Sequence, residues 1–357
     1  MKNKFDRKKK IMILCIVLAE ILVIVGCVFL FINKGARNLK KKQAEKAKLA
    51  SEQELTAEEA EEGIVYYNGK KYRYNEDILT FLIMGVDDDQ SMDGEVEMGE
   101  AGQADTIFLA MLNTKEKSVE LLGISRDTMT DIQILDEQGN YIRTAEEHLA
   151  IQYAYGDGSH YSCELMKEAV SDLMYGLPIH GYCAINLNGI PVLNDAVGGV
   201  EVTVLEDLTN IMNITEGDYT LKKGATVKLT GEQAHDYVRA RNKSQFASND
   251  LRIKRQKQYL AAFADTLIEQ TKKDITVPVK ILQKMTNYMV TVVSMDEITY
   301  LATQILEYDF NLDDIKSIEG EVVQPEGEKY EQFHVDYDAL YELILELYYE
   351  EVPEVSE

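Results

Sequence analysis

Arg126 and Asp127 sit together in GISRDT, and Arg239, Arg241, Arg252 and Arg255 crowd into YVRARN and NDLRIKRQ, in a chain of formal net charge −25. Guanidinium groups are planar, permanently charged and able to grip oxyanions through two parallel bonds. Gathered in an acidic chain beside a few carboxylates, they point to a phosphate site with a divalent metal. A helix over NDLRIKRQ puts Arg252 and Arg255 on one face, three residues apart, with Gln256 beside them. Arg239 and Arg241 close the preceding helical pattern, and a turn between the two helices would bring both pairs onto one diphosphate. The competing reading is a set of ordinary surface salt bridges.

The carboxylates come from strand ends. The apolar, β-rich runs ILTFLIMGV, DTIFLAMLN and SVELLGISR read as three buried strands. Open α/β sheets keep their ligand sites at such ends. Asp87 follows the first run, Asp105 opens the second, and Arg126 with Asp127 closes the third. Asp87 and Asp105 suit a hard cation, Mg²⁺ or Mn²⁺, which takes one or two carboxylates and completes its shell with phosphate oxygens and water. Asp127 would orient Arg126 or take a proton, with Asp105 the other candidate base. Phosphoryl transfer asks mainly for positioning and charge neutralisation, so the protein need not supply the nucleophile.

Longer helical patterns follow the strands: HLAIQYAYG, YSCELMKEAVSDLMYG, the LNGIPVLNDAVGG region, TGEQAHDYVRARN and about 250–271, interleaved with short strands near Tyr182–Asn186 and Glu201–Val204. Helices near Val279–Tyr288 and Met295–Glu307 and a strand near Ile315–Val322 complete the expected α/β sandwich, a central mixed sheet flanked by helices. Tyr153 and Tyr155 could stack on a sugar, but tyrosines on a helix beside a sheet read first as core. Gly156, Gly158, Gly198 and Gly199 mark turns. Leu340, Leu343, Ile344 and Leu347 recur at helical spacing and predict an amphipathic helix docked on the domain.

Ahead of this domain, Ile11 to Ile32 is an apolar run of 22 residues with one charge, Glu20. As a helix it extends about 33 Å, enough for a hydrocarbon layer of about 30 Å. It reads as an uncleaved anchor, the ten-residue basic tail 1–10 inside and the rest outside the cell membrane. Residues 33–65, rich in Lys, Ala, Glu and Gln, read as a solvated helical spacer, 66–323 as the catalytic domain and 324–357 as an acidic C-terminal helix and tail.

The first 42 residues carry 11 basic and 2 acidic side chains, and the remainder 26 and 60. So anionic an outer domain repels nucleic acid, while the basic residues flanking the span would meet lipid headgroups of the bilayer. The five histidines show no zinc-ligand spacing, and Cys163 and Cys183, the two cysteines beyond the span, are too few for a disulfide scaffold.

Taken in order, GVDDD, ADTIFLAMLN, GISRDT, QYAYGDG, NLNGIPVLNDAVGGVEV, LTGEQAHDYVRAR and RIKRQ behind one anchor resemble the LytR-CpsA-Psr family over roughly residues 76 to 265. The resemblance implies an α/β sandwich with a pocket for a polyprenyl chain. It also implies an enzyme that moves a glycopolymer from a polyprenyl-diphosphate carrier to peptidoglycan, forming a phosphodiester. By motif matching, Asp87 and Asp105 fall at the family's metal-linked carboxylates. Arg126, Arg239, Arg241, Arg252 and Arg255 fall at diphosphate contacts, with Gln256 a neighbour. The chain departs from the family pattern at Asp89 and at Gln103 or Ala104, where arginines are common, and at Ser125 in place of proline. Those departures keep two rivals in view: a polyprenyl-diphosphate hydrolase, and an anchored lipid-binding scaffold or sensor without turnover.

Asp89, Ser91, Asp93, Gly94, Glu95, Glu97 and Glu100 match positions of an EF-hand calcium loop. Strands, not helices, are expected on both sides, so the segment reads as an exposed acidic lid.

Overall fold

The computed structural model describes residues 30–43, 64–88, 92, 96–97, 99–208, 221–240, 248–310, 315–327 and 330–353. The anchor expected over 11–32 lies outside these residues except for its last three, as do Arg241 and, in the acidic lid, Asp89, Ser91, Asp93, Gly94 and Glu95. Among the described residues no helix is long and apolar enough to cross a membrane.

Helix α1 covers residues 30–42. Strands β1 (Ile64–Tyr67), β2 (Lys70–Tyr74), β3 (Ile78–Val86), β4 (Ala104–Asn113) and β5 (Ser118–Ile124) follow, then the hairpin β6 (Met129–Leu135) and β7 (Tyr141–His148). Next come α2 (Ile151–Ala154), α3 (His160–Leu173), β8 (Gly181–Asn186), α4 (Gly189–Ala196), β9 (Glu201–Thr203), β10 (Thr226–Lys228), α5 (Gly231–Arg239) and α6 (Ser248–Lys273). The chain continues through α7 (Val277–Met285), β11 (Met289–Thr291), α8 (Met295–Gln304), β12 (Asp309–Phe310), β13 (Lys316–Ser317), β14 (Gly320–Val323), β15 (Gln332–Val335), α9 (Tyr337–Tyr348) and β16 (Tyr349–Glu351).

The central sheet has the order β11-β8-β3-β4-β5-β12, with β13 also on β5. It is mixed, as expected: β3 pairs antiparallel with β4 and parallel with β8. β3 is apolar but for Thr80, because both its faces are covered. Leu82, Met84 and Val86 pack with Met166, Val170 and Leu173 of α3 and with Leu340 and Ile344 of α9. On the other face Ile83, with Phe108 and Ala110 of β4, meets Leu260, Ala261 and Ala264 of α6. The C-terminal amphipathic helix is therefore docked, as its spacing predicts. Tyr153 is fully buried and donates to the Gly158 carbonyl at 2.9 Å, which makes it core rather than a sugar platform. Cys163 and Cys183 are free thiols.

Two expectations change. Residues 34–43 are not part of a free spacer: α1 is seated on the domain. Leu39 is buried against Leu79 and Phe81, and Gly35 packs so closely that a Cβ there would meet the Asp296 carbonyl. Lys34 and Lys42 neutralise the buried Asp296 and Glu297 at 3.3 and 3.0 Å, and Gln43 reaches Thr114 at 2.9 Å. The basic residues that suggested solvation serve two interior carboxylates, which would otherwise be buried charges without partners. Second, HLAIQYAYG holds only the short helix α2, because His148 ends β7 in antiparallel register with Met129.

Just before β8, His180 and Thr80 exchange two bonds: Thr80 N–H donates to His180 Nδ1 at 2.9 Å and His180 N–H to the Thr80 carbonyl at 2.8 Å. Burial, with Lys42 adding to it, pushes the His180 imidazole down to about 4. The unfolded chain takes up this proton near pH 6.5 and the folded one only near 4, so stability is full above pH 6.5 and drains away as pH falls through that window. Urea unfolding should give about 2 kcal/mol less stability at pH 5 than at pH 7 from this residue. His180→Gln should lose that share of the difference; an unchanged pH dependence would contradict the neutral imidazole.

Candidate active site

The β3–β4 register sets the site. Gly85 faces Thr106 and Val86 faces Ala104, which leaves Asp105 as the extra residue of a β-bulge. Alternation alone would send Asp105 and Thr106 to opposite faces; the bulge re-aims the chain so that both line one cavity. Gly85 makes this close pairing possible, since a Cβ there would lie 3.1 Å from the Thr106 Cβ.

That cavity, about 370 Å³, opens between the carboxyl end of β3, β8 and helices α4, α5 and α6. Its size falls among small-molecule sites of about 300–1,000 Å³. Ile83, Phe108, Ile185, Leu187, Leu193 and Leu260 give it an apolar wall, while Asp87, Asp105, Arg126, Arg239, Arg252 and Gln256 line its polar side. Phe108 is buried, whereas Asp87 and Arg239 are 48% and 39% exposed, so the charges stand at the open end.

Arg126 bonds Asp105 directly and donates from Nη2 to Gln103 Oε1 at 2.7 Å. Its Nε lies 3.4 Å from Asp127 Oδ1. Arg252 Nη1 approaches the other oxygen of Asp105 at 3.9 Å, and Arg239 Nη2 approaches Asp87 at 3.7 Å. Three guanidinium groups from three distant segments thus converge on two carboxylates. The turn carrying Arg126 is pinned on both sides: Ala150 N–H donates to the Arg126 carbonyl at 3.1 Å and Phe333 N–H to that of Asp127 at 2.8 Å. Arg239 is aimed by α5, which starts at a capping box in which Thr230 and Gln233 bond each other's backbone N–H at 3.3 and 3.0 Å.

The expected residues divide accordingly. Asp87, Asp105, Arg126, Arg239, Arg252 and Gln256 meet at the cavity. Asp127 stands behind Arg126 and does not line it. Arg241 lies outside the described residues. Arg255, expected as a diphosphate contact, is placed elsewhere: its side chain is 1% exposed and bonded to Glu206 and to the Tyr237 and Ala240 carbonyls. Three residues on a helix are 60° short of a full turn, and that offset carries Arg255 off the cavity face that Arg252, Gln256 and Tyr259 share. Sequence reading also missed Glu206, the bulge at Asp105 and which residues build the apolar wall; Gln103 drew notice only as a departure from a pattern.

Asp87 and Asp105 line the same cavity, each facing an arginine, and a Mg²⁺ ion there would have to draw its other ligands from phosphate and water. Among the described residues no group of three His, Cys, Asp or Glu could hold a metal by itself. Glu97 and Glu100 of the acidic lid are exposed.

A mixed α/β layer with an arginine-lined cleft at the strand ends, apolar on one wall, defines the class. The chain matches the model of the LytR_cpsA_psr family over residues 29–345 and belongs to that family. It is 33% identical over 168 residues to the protein of Enterococcus faecalis named polyisoprenyl-teichoic acid--peptidoglycan teichoic acid transferase TagU, covering 47% of this chain and 46% of that protein. It is 27% identical over 192 residues to the corresponding TagV of Bacillus subtilis, covering 53% and 44%. The chain thus spans about half the length of the curated relatives it matches. The crystal structure of B. subtilis TagV superposes with a TM-score of 0.57 at 22% identity over 76% of this chain and 97% of that one. A structure of TagT bound to LI-WTA gives 0.56 at 24% identity over 76% and 89%. At such identities the likeness speaks for the fold.

Proposed function

We propose that this chain is a membrane-anchored phosphotransferase that moves a glycopolymer from a polyprenyl-diphosphate carrier to peptidoglycan, forming a phosphodiester. The observation that carries the reading is one cavity that combines an apolar wall, suited to a lipid chain, with three arginines on its polar side, suited to a diphosphate. The names of the relatives support teichoic acid as the kind of polymer and peptidoglycan as the acceptor. The run Ile11–Ile32 would anchor the domain outside the cell membrane, close to its lipid substrate.

Arg126, Arg239 and Arg252 hold the diphosphate oxygens and disperse the charge that grows as the bridging bond lengthens. An acceptor sugar hydroxyl attacks the phosphorus that bears the glycopolymer; the bond from that phosphorus to the bridging oxygen breaks, and polyprenyl phosphate leaves. The hydroxyl proton leaves through a carboxylate that lines the cavity, while Asp127, standing behind Arg126, orients that guanidinium. Asp87 and Asp105 would hold Mg²⁺ or Mn²⁺, which when bound neutralises part of the diphosphate charge.

The test is incubation of the purified full chain with a lipid-diphosphate-linked glycan and peptidoglycan fragments. Joined product and stoichiometric polyprenyl phosphate are expected. Release of the glycan phosphate without joining would instead indicate a hydrolase, and binding without any product a scaffold.

A further inference from the structure

Arg255 is among the largest fully buried side chains of the described protein, and a buried cation is kept only where it is paired and fully bonded. Its bonds reach three places in the chain. Nη1 meets Glu206, which follows β9; Nε donates to the Tyr237 carbonyl at 2.7 Å; Nη2 donates to the Ala240 carbonyl. From the next position on α6, Gln256 Nε2 donates to the Val238 carbonyl at 3.3 Å. Together the two side chains take up carbonyls at the end of α5 that no residue of that helix can satisfy. A cation there is also favoured by the helix dipole.

Ala240 is the residue between Arg239 and Arg241. Its backbone has φ −52° and ψ 129°, so the chain turns out of α5 at this residue. We propose that Arg255 and Glu206 form a buried positioning pair that fixes this turn and so aims Arg239 into the cavity. The inference rests on the diphosphate reading of that cavity. Burial lowers the Arg255 pKa to about 10, which still leaves it charged at neutral pH. Three acceptors in three directions need the planar fork of arginine; the single ammonium of lysine cannot span them. Glu206 holds the guanidinium in place and neutralises it.

Arg255→Lys and Glu206→Gln in the full chain test the pair, with geranylgeranyl diphosphate and geranylgeraniol as calorimetric probes. The account expects diphosphate binding to weaken about tenfold in the first and about threefold in the second, as bidentate contacts are lost. Geranylgeraniol, which lacks the charged head, should bind both variants as it binds wild type. Hydrogen exchange at the Ala240 amide, bonded to the Asp236 carbonyl at 2.8 Å, should quicken in both. A direct ligand behaves in the opposite way: Glu206→Gln would free the guanidinium and tighten diphosphate binding, which would overturn the proposal. Unchanged exchange in both variants would overturn it too. If wild type binds no diphosphate while both variants still exchange faster, the diphosphate reading fails and the structural pairing stands.

Discussion

Arg126→Ala is expected to lower the rate of polymer transfer by about 10²–10³-fold while leaving the melting temperature within a few degrees of wild type. Removing one preorganised donor from a site where charge develops typically costs that much. Arg126 stands at the centre of the polar wall, bonded to Asp105 and Gln103, with Asp127 behind it. Its side chain is 26% exposed and belongs to the cavity rather than to the core, so truncation should open the site without unfolding the sheet. The measurement is single-turnover transfer with saturating lipid substrate, paired with thermal unfolding. A variant that transfers within a few-fold of wild type would remove Arg126 from the clamp.

Asp105→Asn should have the second largest effect. Asp105 is shared by Arg126 and Arg252 and would be one of two metal ligands, so the amide loses charge at once from the arginine network and from the cation site. Transfer should fall by about 100-fold, and the Mg²⁺ concentration giving half-maximal rate should rise, since a neutral amide is a weaker ligand for a hard cation. Asn keeps the shape of the side chain and the bulge that carries it. The Mg²⁺ titration decides: the same half-maximal concentration in both proteins would mean that Asp105 serves the arginines alone.

Much of this arrangement was legible in the sequence. ILTFLIMGV became β3 with the bounds its apolar run suggested, because a strand covered on both faces needs no alternation to be seen. The strand-end rule anticipated Asp87, Asp105, Arg126 and Asp127 beside one another; the first three line the cavity, and Asp127 does not. What it could not show was the bulge: one unpaired residue changes the side on which Asp105 emerges, and nothing in ADTIFLAMLN announces it. Arg255 was misplaced because adjacency on a helix was read as a shared target, whereas its 60° offset from Arg252 turned it inward. The β6–β7 hairpin went unseen since YIRTAEEH lies largely at the surface and carries no apolar alternation. In α1, Gly35 and Leu39, four residues apart, were the one sign of a packed face within a basic segment.

The most direct measurement is a crystal structure of the protein grown with a polyprenyl diphosphate and Mg²⁺. The account predicts the isoprenoid chain along Ile83, Phe108 and Leu260, and both phosphates within hydrogen-bonding reach of Arg126, Arg239 and Arg252. A headgroup bound elsewhere, with this cavity filled only by solvent, would contradict it.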